Sequence, residues 1–108
     1  MSETLKRAQQ LVAQGEVRIS DHGYEEFAAD GIVARDVVAG ISSALVVEDY
    51  PDAAQGPSVL VLQHDADGLP THILWGIPAG ETGPAVVITG YRPDPERWSG
   101  DYLERKAR

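Results

Sequence analysis

The chain has 108 residues, of which 43% are hydrophobic and none is cysteine, and its formal net charge is −8 at pH 7. This length supports one small domain with a single core, and the lack of cysteine excludes a disulfide framework, a thiol nucleophile and a cysteine zinc site. No apolar run approaches the roughly 18 residues of a membrane span, and the polar N-terminus lacks the apolar stretch of a signal peptide. We therefore expect a soluble, cytoplasmic protein without membrane association.

The charge is unevenly distributed along the chain. Residues 21–91 contain eleven acids and one base, whereas the two ends are close to neutral. A broad basic footprint, the usual mark of a nucleic-acid-binding surface, is therefore missing from the main body. A phosphate site would have to draw on the few cations available, which are Arg18, Arg35 and Arg92, with Lys6 and Arg7. The simpler alternative is that the acidic charge keeps a small protein soluble.

Three helices are predicted in the first part of the chain. The first has apolar positions at helical spacing, the first two end at glycines, and the third is short. The first covers residues 3–14, the second begins after Ser20 or Asp21 and ends at Asp30, and the third covers residues 34–42. Ser2 is placed to cap the first helix. The stretch VRIS, between the first two helices, is predicted to be a short extended link.

From residue 44 onward, apolar stretches separated by Gly, Pro and Asp turns predict strands. The four stretches are ALVVEDY, SVLVLQH, THILWGI and AVVITGY. Helices followed by an antiparallel meander predict an α+β fold, with two or three N-terminal helices packed on one face of a three- to four-stranded antiparallel sheet. We assign residues 1–98 to this single domain and residues 99–108 to a C-terminal tail that is either mobile or a short helix.

Strand alternation predicts which residues share a face of the sheet. In THILWGI the more apolar alternate positions should meet the helices, which turns His72 to the opposite face. In AVVITGY, Val86 and Ile88 are predicted as core, and the loop between these strands brings His72 opposite residues 89–91. One end of the face away from the helices should therefore carry three polar residues, namely His72, Thr89 and Tyr91.

The order of the short motifs resembles a known family. The segments ISDHGYEEFAADGIVARDVVAGISSALVVEDYP, LPTHILWGI and VVITGYRPDPERW are similar to the bacterial family known as domain of unknown function 4258, over about residues 17–98. The shared pattern is a histidine opening a helix, a Gly-Ile turn, a second histidine on a central strand and a Tyr-x-Pro-Asp ending with a tryptophan. The resemblance singles out His22, Gly31, Ile32, His72, Tyr91, Pro93, Asp94 and Trp98.

One departure from the family pattern affects the expected site. Family members commonly carry arginines in the helix after the first histidine and just before the Gly-Ile pair. Here those stretches hold Glu25, Glu26 and Asp30 and no base. If those arginines bind an anion in relatives, this chain has lost that part of the site or has replaced it with Arg18 or Arg35.

The family in turn resembles the small α+β toxins of the RelE and barnase-like ribonuclease group, which implies metal-independent RNA cleavage. In that chemistry one group takes the 2′-hydroxyl proton, another protonates the leaving 5′-oxygen, and a cation stabilises the phosphorane. The resemblance makes His22 and His72 the acid–base pair, a role that suits histidine, and Tyr91 an orienting or proton-donating group. Arg92 or Arg35 would be the phosphate cation, although strand alternation turns Arg92 to the other face.

Each candidate also has a purely structural interpretation. His22 could bond a nearby carbonyl at the helix start, and His72 could be an ordinary polar residue on an open sheet face. Tyr91 could cover the end of the sheet, and Arg35 could cap a helix or form an ion pair. Trp98 is predicted to fold back as an apolar plug.

The string HDADGLPTH raises the question of a metal site. His64, Asp65, Asp67 and His72 come close together across a hairpin, and two histidines with a carboxylate would suit zinc or manganese. However, Asp-Ala-Asp-Gly is also an ordinary hairpin turn, and the string lacks the later ligands of a calcium loop. We predict no metal and no cofactor.

Two functions remain open. The first is a toxin-like phosphodiesterase that cleaves RNA. The second is a non-catalytic interaction domain, of the immunity or antitoxin type, whose acidic body binds a basic protein. RNA cleavage that is lost in His22→Ala and His72→Ala would support the first function, and salt-sensitive capture of one basic partner would support the second.

Overall fold

A computed structural model describes residues 2–107 of the chain. Three helices and five strands are present, and four of the strands follow the helices as predicted, so the α+β class is confirmed. The helices are α1 (Glu3–Ala13), α2 (Asp21–Asp30) and α3 (Ala34–Gly40), which continues into a short 3₁₀ helix (Ile41–Ser43). The strands are β1 (Val17–Ile19), β2 (Leu45–Tyr50), β3 (Ser58–His64), β4 (Pro70–Gly76) and β5 (Ala85–Tyr91).

Local chemistry sets the ends of the first two helices. The Ser2 side chain caps α1 by accepting the Leu5 N–H at 3.0 Å, and Ser20 caps α2 by accepting the Gly23 N–H at 2.9 Å. Gly31 ends α2 with a φ of 66°, a left-handed conformation that glycine adopts without steric cost.

The sheet corrects the predicted architecture, because it has five strands and is mixed rather than three- to four-stranded and antiparallel. The strand order is β1-β5-β4-β3-β2, and β1 runs parallel to β5. The segment Val17–Ile19, predicted to be a link, is this additional strand and pairs with residues 85–87. Three residues are too few to show a strand period, and a parallel partner can lie far away in the sequence.

The helices pack on one face of the sheet, and the core lies between the two layers. It includes Leu5 and Ala8 from α1, Phe27 from α2, and Ile73 and Trp75 from β4. This confirms the predicted alternation of β4, with its apolar set facing the helices and His72 turned away. We call the sheet face away from the helices the open face.

A buried polar pair crosses this core without leaving an unpaired group. The Trp75 indole N–H donates to the Gln63 side-chain carbonyl at 2.8 Å, and the Gln63 amide donates to the Val37 carbonyl at 2.8 Å. Because each buried donor has an acceptor, the desolvation penalty of these groups is offset. The two bonds also fix α3 to β3 and β4.

Strand β5 departs from the predicted alternation. Val86 and Ile88, predicted as core, lie on the open face, and Ile88 is 37% exposed, whereas Val87 is fully buried under the helices. A β-bulge leaves Ile88 as the extra residue in the β4–β5 ladder. Since the bulge shifts the alternation by one residue, Tyr91 still comes opposite His72, as predicted.

The chain beyond β5 folds back over one end of the open face. Residues 93–107, which we call the C-terminal segment, run through turns and bends and form no helix. Trp98 is 4% exposed, as predicted for a plug, and makes an isolated antiparallel bridge with Arg105. Among residues 2–107, no helix combines the length and hydropathy needed to cross a membrane.

Candidate functional site

His72 lies on the open face of β4, and its side chain is fully buried. The ring Nε2 is 2.8 Å from the Tyr102 carbonyl oxygen, and Nδ1 is 3.1 Å from the Tyr91 hydroxyl. Because a carbonyl oxygen can only accept, Nε2 carries the proton and the Tyr91 hydroxyl donates to Nδ1. His72 is therefore a neutral imidazole with both ring nitrogens hydrogen-bonded.

Aromatic rings enclose His72 and shield it from solvent. The Trp98 ring meets it edge-on at a centroid distance of 4.4 Å, and the Tyr91 ring does so at 5.3 Å. Burial disfavours the charged imidazole, so the pKa of His72 is lowered, although the hydrogen bond to Tyr102 acts in the opposite direction. Burial also raises the pKa of Tyr91. Both groups are held in their neutral forms.

A layer of charged residues lies outside the rings. The Arg105 guanidinium is 4.7 Å from the centre of the Trp98 ring and donates two hydrogen bonds to the Glu48 carboxylate, at 2.9 and 3.1 Å. These bonds, with one from the Tyr50 hydroxyl, lower the pKa of Glu48. The ion pair connects the C-terminal segment to β2. Since Arg105 is largely exposed, solvent screens this pair strongly.

His22 lies on a different side of the molecule. Its side chain is 62% exposed on α2, where Nε2 is 3.6 Å from a Glu26 carboxylate oxygen. The opposite side of α2 packs on the sheet through Gly23 and Phe27, on the helix face. The sheet therefore separates His22 from His72, and the structure does not bring the predicted acid–base pair together.

Among residues 2–107, neither of the two candidate cations makes a hydrogen bond to His72. The Arg92 guanidinium is 2.9 Å from the Asp65 carboxylate and donates to the carbonyls of Pro70 and Gly31 at 3.3 and 3.4 Å. It ties the end of α2 to the start of β4. Arg35 is exposed on α3 and lines a groove at the edge strand β1 together with Arg18 and Tyr24.

The β3–β4 turn uses its carboxylates for its own structure. Asp65 accepts the N–H groups of Asp67 and Leu69, each at 2.9 Å, in addition to the Arg92 ion pair. The Leu69 bond is the largest cause that lowers the pKa of Asp65. Within residues 2–107, no group of three or more His, Cys, Asp or Glu side chains is arranged to hold a metal ion.

Three residues in the surroundings of His72 were not predicted as part of the site, namely Glu48, Tyr102 and Arg105. Tyr102 contributes a backbone carbonyl, which any residue could supply, so its identity gives no signal. The other two form an ion pair between β2 and a segment expected to be a tail. The only hint in the sequence was Trp98, since an apolar ring near a chain end needs a surface to cover.

Comparison with known proteins identifies a matching family. A family model described as Domain of unknown function (DUF4258) matches residues 19–92, which is more than half of the chain. The match includes His22 and His72 and ends before the C-terminal segment. Comparisons with curated proteins and with solved structures found no match.

Proposed function

The chain belongs to the DUF4258 family, and we propose that it is a non-catalytic domain that binds a basic protein through its acidic surface. The observation that carries this proposal is that His22 and His72 lie on opposite sides of the sheet, with His72 fully buried. General acid–base cleavage needs both proton-transfer groups within reach of one phosphodiester. This arrangement favours binding over catalysis.

The outer side of α2 is the part of the acidic body that best suits a basic partner. The helix holds four acids and no Lys or Arg. Asp21 and Glu25 are exposed one helical turn apart, a spacing at which like charges repel each other. Tyr24, 55% exposed beside them, offers the kind of aromatic anchor that interfaces favour. We call these three residues the α2 surface.

The charge distribution also indicates how such a partner would associate. A chain with a net charge of −8 associates faster with a basic protein, and this effect weakens as salt screens the charges. If the arginines of the family pattern bind an anion in relatives, the acids at these positions in this chain favour a cationic partner instead.

The test begins with capture of partners by the tagged protein at low salt and their identification by mass spectrometry. The purified partner is then titrated into the protein by calorimetry at low and high salt. We expect one basic protein whose affinity falls as the salt concentration rises. Capture of no partner at low salt, or an affinity independent of salt, would contradict the proposal.

Two matched charge reversals locate the surface. Glu25→Lys changes the α2 surface, and Glu81→Lys makes the same charge change in an exposed loop residue. We expect Glu25→Lys to weaken binding by about tenfold, since it places a like charge against the partner, and Glu81→Lys to have a much smaller effect. Equal losses in the two variants would mean that net charge alone, and not the α2 surface, governs binding.

A second candidate function is metal-independent RNA cleavage at His72. The observation that favours it is the contact between His72 and Tyr91, two residues that match the family pattern. RNA could reach them only if the C-terminal segment left the open face. Incubating the wild type with short mixed-sequence RNAs and a chelator tests this. Cleavage that disappears in both His72→Ala and Tyr91→Phe would support it, and absence of cleavage would eliminate it.

A further inference from the structure

The C-terminal segment leaves part of the open face uncovered, and this part contains a groove of about 450 Å³. We call it the open-face groove. Its apolar floor comes from β4 and β5, and its rim from the loop before β3 and from Pro78. The floor residues are Leu74, Gly76, Val86 and Ile88. Both its volume and its largely apolar lining are typical of small-molecule sites.

Backbone contacts hold the rim of the groove in place. The Ile77 N–H donates to the Pro57 carbonyl at 3.0 Å, and the Ala79 N–H donates to the Gln55 carbonyl at 3.1 Å. Gly56 lies between them with a φ of 124°, so close to the chain that a Cβ there would be 2.0 Å from the Ile77 carbonyl oxygen. The rim is therefore preformed, and a ligand would not have to order it.

Arg18 supplies the groove with a positive charge. It belongs to β1, the strand beside β5, and lines the groove at the edge of the sheet. Among residues 2–107, no carboxylate forms a salt bridge with Arg18, whereas Arg92, Arg97 and Arg105 each have such a partner. A guanidinium prefers planar, bidentate anions such as a carboxylate.

We propose that the open-face groove binds a small amphipathic carboxylate. The apolar chain of the ligand lies on the floor formed by β4 and β5, and its carboxylate pairs with Arg18. Among the described residues that line the groove, Arg18 is the one charged side chain. One cation balances one negative charge, which favours a monoanionic carboxylate over a doubly charged phosphate. The open-face groove shares no lining residue with the α2 surface, although Arg18 also lines the neighbouring groove that contains Tyr24. The proposed ligand does not depend on the proposed partner.

The test is a ¹H–¹⁵N NMR titration of the full-length protein with octanoate and, in parallel, with octanamide. Octanoate should shift the backbone amides of Gly76, Val86 and Ile88 and should bind more tightly than the uncharged amide. Arg18→Gln should weaken octanoate binding by about fivefold, the size of one partly exposed ion pair, and leave octanamide binding unchanged. Arg35→Gln removes an arginine that does not line the groove and should leave both affinities unchanged.

A steric variant checks the position of the ligand on the floor. A Cβ at Gly76 would come 2.7 Å from Cδ1 of Ile88, the end of a flexible side chain, so Gly76→Ala should fold while raising the floor. We expect it to weaken octanoate binding. The proposal is overturned if octanoate leaves the groove amides unshifted, if octanoate and octanamide bind equally well, or if neither Arg18→Gln nor Gly76→Ala weakens octanoate binding.

Discussion

His72 is a polar side chain that is shielded from solvent, and its burial is tolerated because both ring nitrogens have hydrogen-bond partners. Its hydrogen bonds to Tyr91 and Tyr102 join β4 to β5 and to the C-terminal segment. Removing one member of such a set leaves buried groups unpaired, which costs more than the hydrogen bond itself contributed. We therefore expect His72 to have a structural role, in which it holds the C-terminal segment against the open face.

Substitution of His72 by alanine should lower the free energy of unfolding by about 3 kcal/mol, because it creates a cavity and leaves the Tyr102 carbonyl without its donor. His22→Ala is the matched control, and its cost should stay within about 0.5 kcal/mol, since that ring is largely exposed. Urea unfolding of both variants measures the difference. If both substitutions lowered the free energy of unfolding by the same small amount, His72 would not stabilise the fold.

The low pKa of His72 predicts a pH dependence of stability. In the unfolded chain this histidine binds a proton as the pH falls through about 6.5, whereas burial in the folded protein opposes protonation. The unfolded state therefore binds more protons below this pH, and the free energy of unfolding should decrease as the pH falls below about 6.5. Above about pH 6.5, His72 makes no pH-dependent contribution to the free energy of unfolding.

His72→Gln provides the reference for this experiment, because glutamine does not titrate. Urea unfolding at a series of pH values should show the wild type losing part of its advantage over His72→Gln as the pH falls below about 6.5. A difference between the two proteins that stays constant down to pH 5 would contradict the assigned neutral state.

Among the larger elements, the C-terminal segment covers His72 through one buried side chain. Trp98 packs edge-on against the His72 ring, whereas the outer Arg105–Glu48 pair lies at the surface. The apolar contact should therefore dominate the attachment of this segment, since surface ion pairs contribute little.

Replacement of Trp98 by alanine should expose His72 to solvent and lower the free energy of unfolding by about 3 kcal/mol. Diethyl pyrocarbonate, which modifies accessible imidazoles, reports the exposure when its products are mapped by mass spectrometry. In the wild type we expect modification at His22 and His64 only, and in Trp98→Ala at His72 as well. Rapid modification of His72 in the wild type would mean that the segment does not cover it.

The loop before β3 depends on a single glycine. Gly56 has a positive φ and lies against the backbone of residues 77–79, so Gly56→Ala should lower the free energy of unfolding by about 3 kcal/mol. Gly100→Ala is the control, because a Cβ there would meet no atom within 4 Å. Thermal unfolding compares the two. A similar midpoint for both variants would contradict the close approach at Gly56.

The sequence was sufficient to predict the elements that have a clear period or clear ends. The cap at Ser2, the alternation of β4 and the buried Trp98 all follow from local patterns. The strand β1 does not, because three residues carry no periodicity and its partner is a distant segment. The bulge at Ile88 was not predictable either, because isoleucine favours a strand whichever face of the sheet its side chain occupies.

At the scale of the whole molecule, the sheet decides which candidate residues can meet. The predicted pairing of His72 with Tyr91 depends on the register of two neighbouring strands, which the short loop between them makes predictable. The separation of His22 from His72 depends on which face α2 packs against. Sequence alternation describes faces within the sheet but does not fix where an exposed helix residue lies relative to them.

The molecule presents three distinct surfaces. The helix layer carries the acidic α2 surface, one end of the open face is closed by the C-terminal segment, and the other end holds the open-face groove.

NMR observation of the histidine rings during a pH titration shows whether the sheet keeps His22 and His72 in separate environments. The titration is run on the wild type and on His22→Ala, each with and without a short mixed-sequence RNA. We predict that His72 titrates below the ordinary value of 6.5, that His22→Ala leaves its titration unchanged, and that RNA moves no ring resonance. A His72 titration that shifts when His22 is removed, with both rings responding to RNA, would contradict the claim.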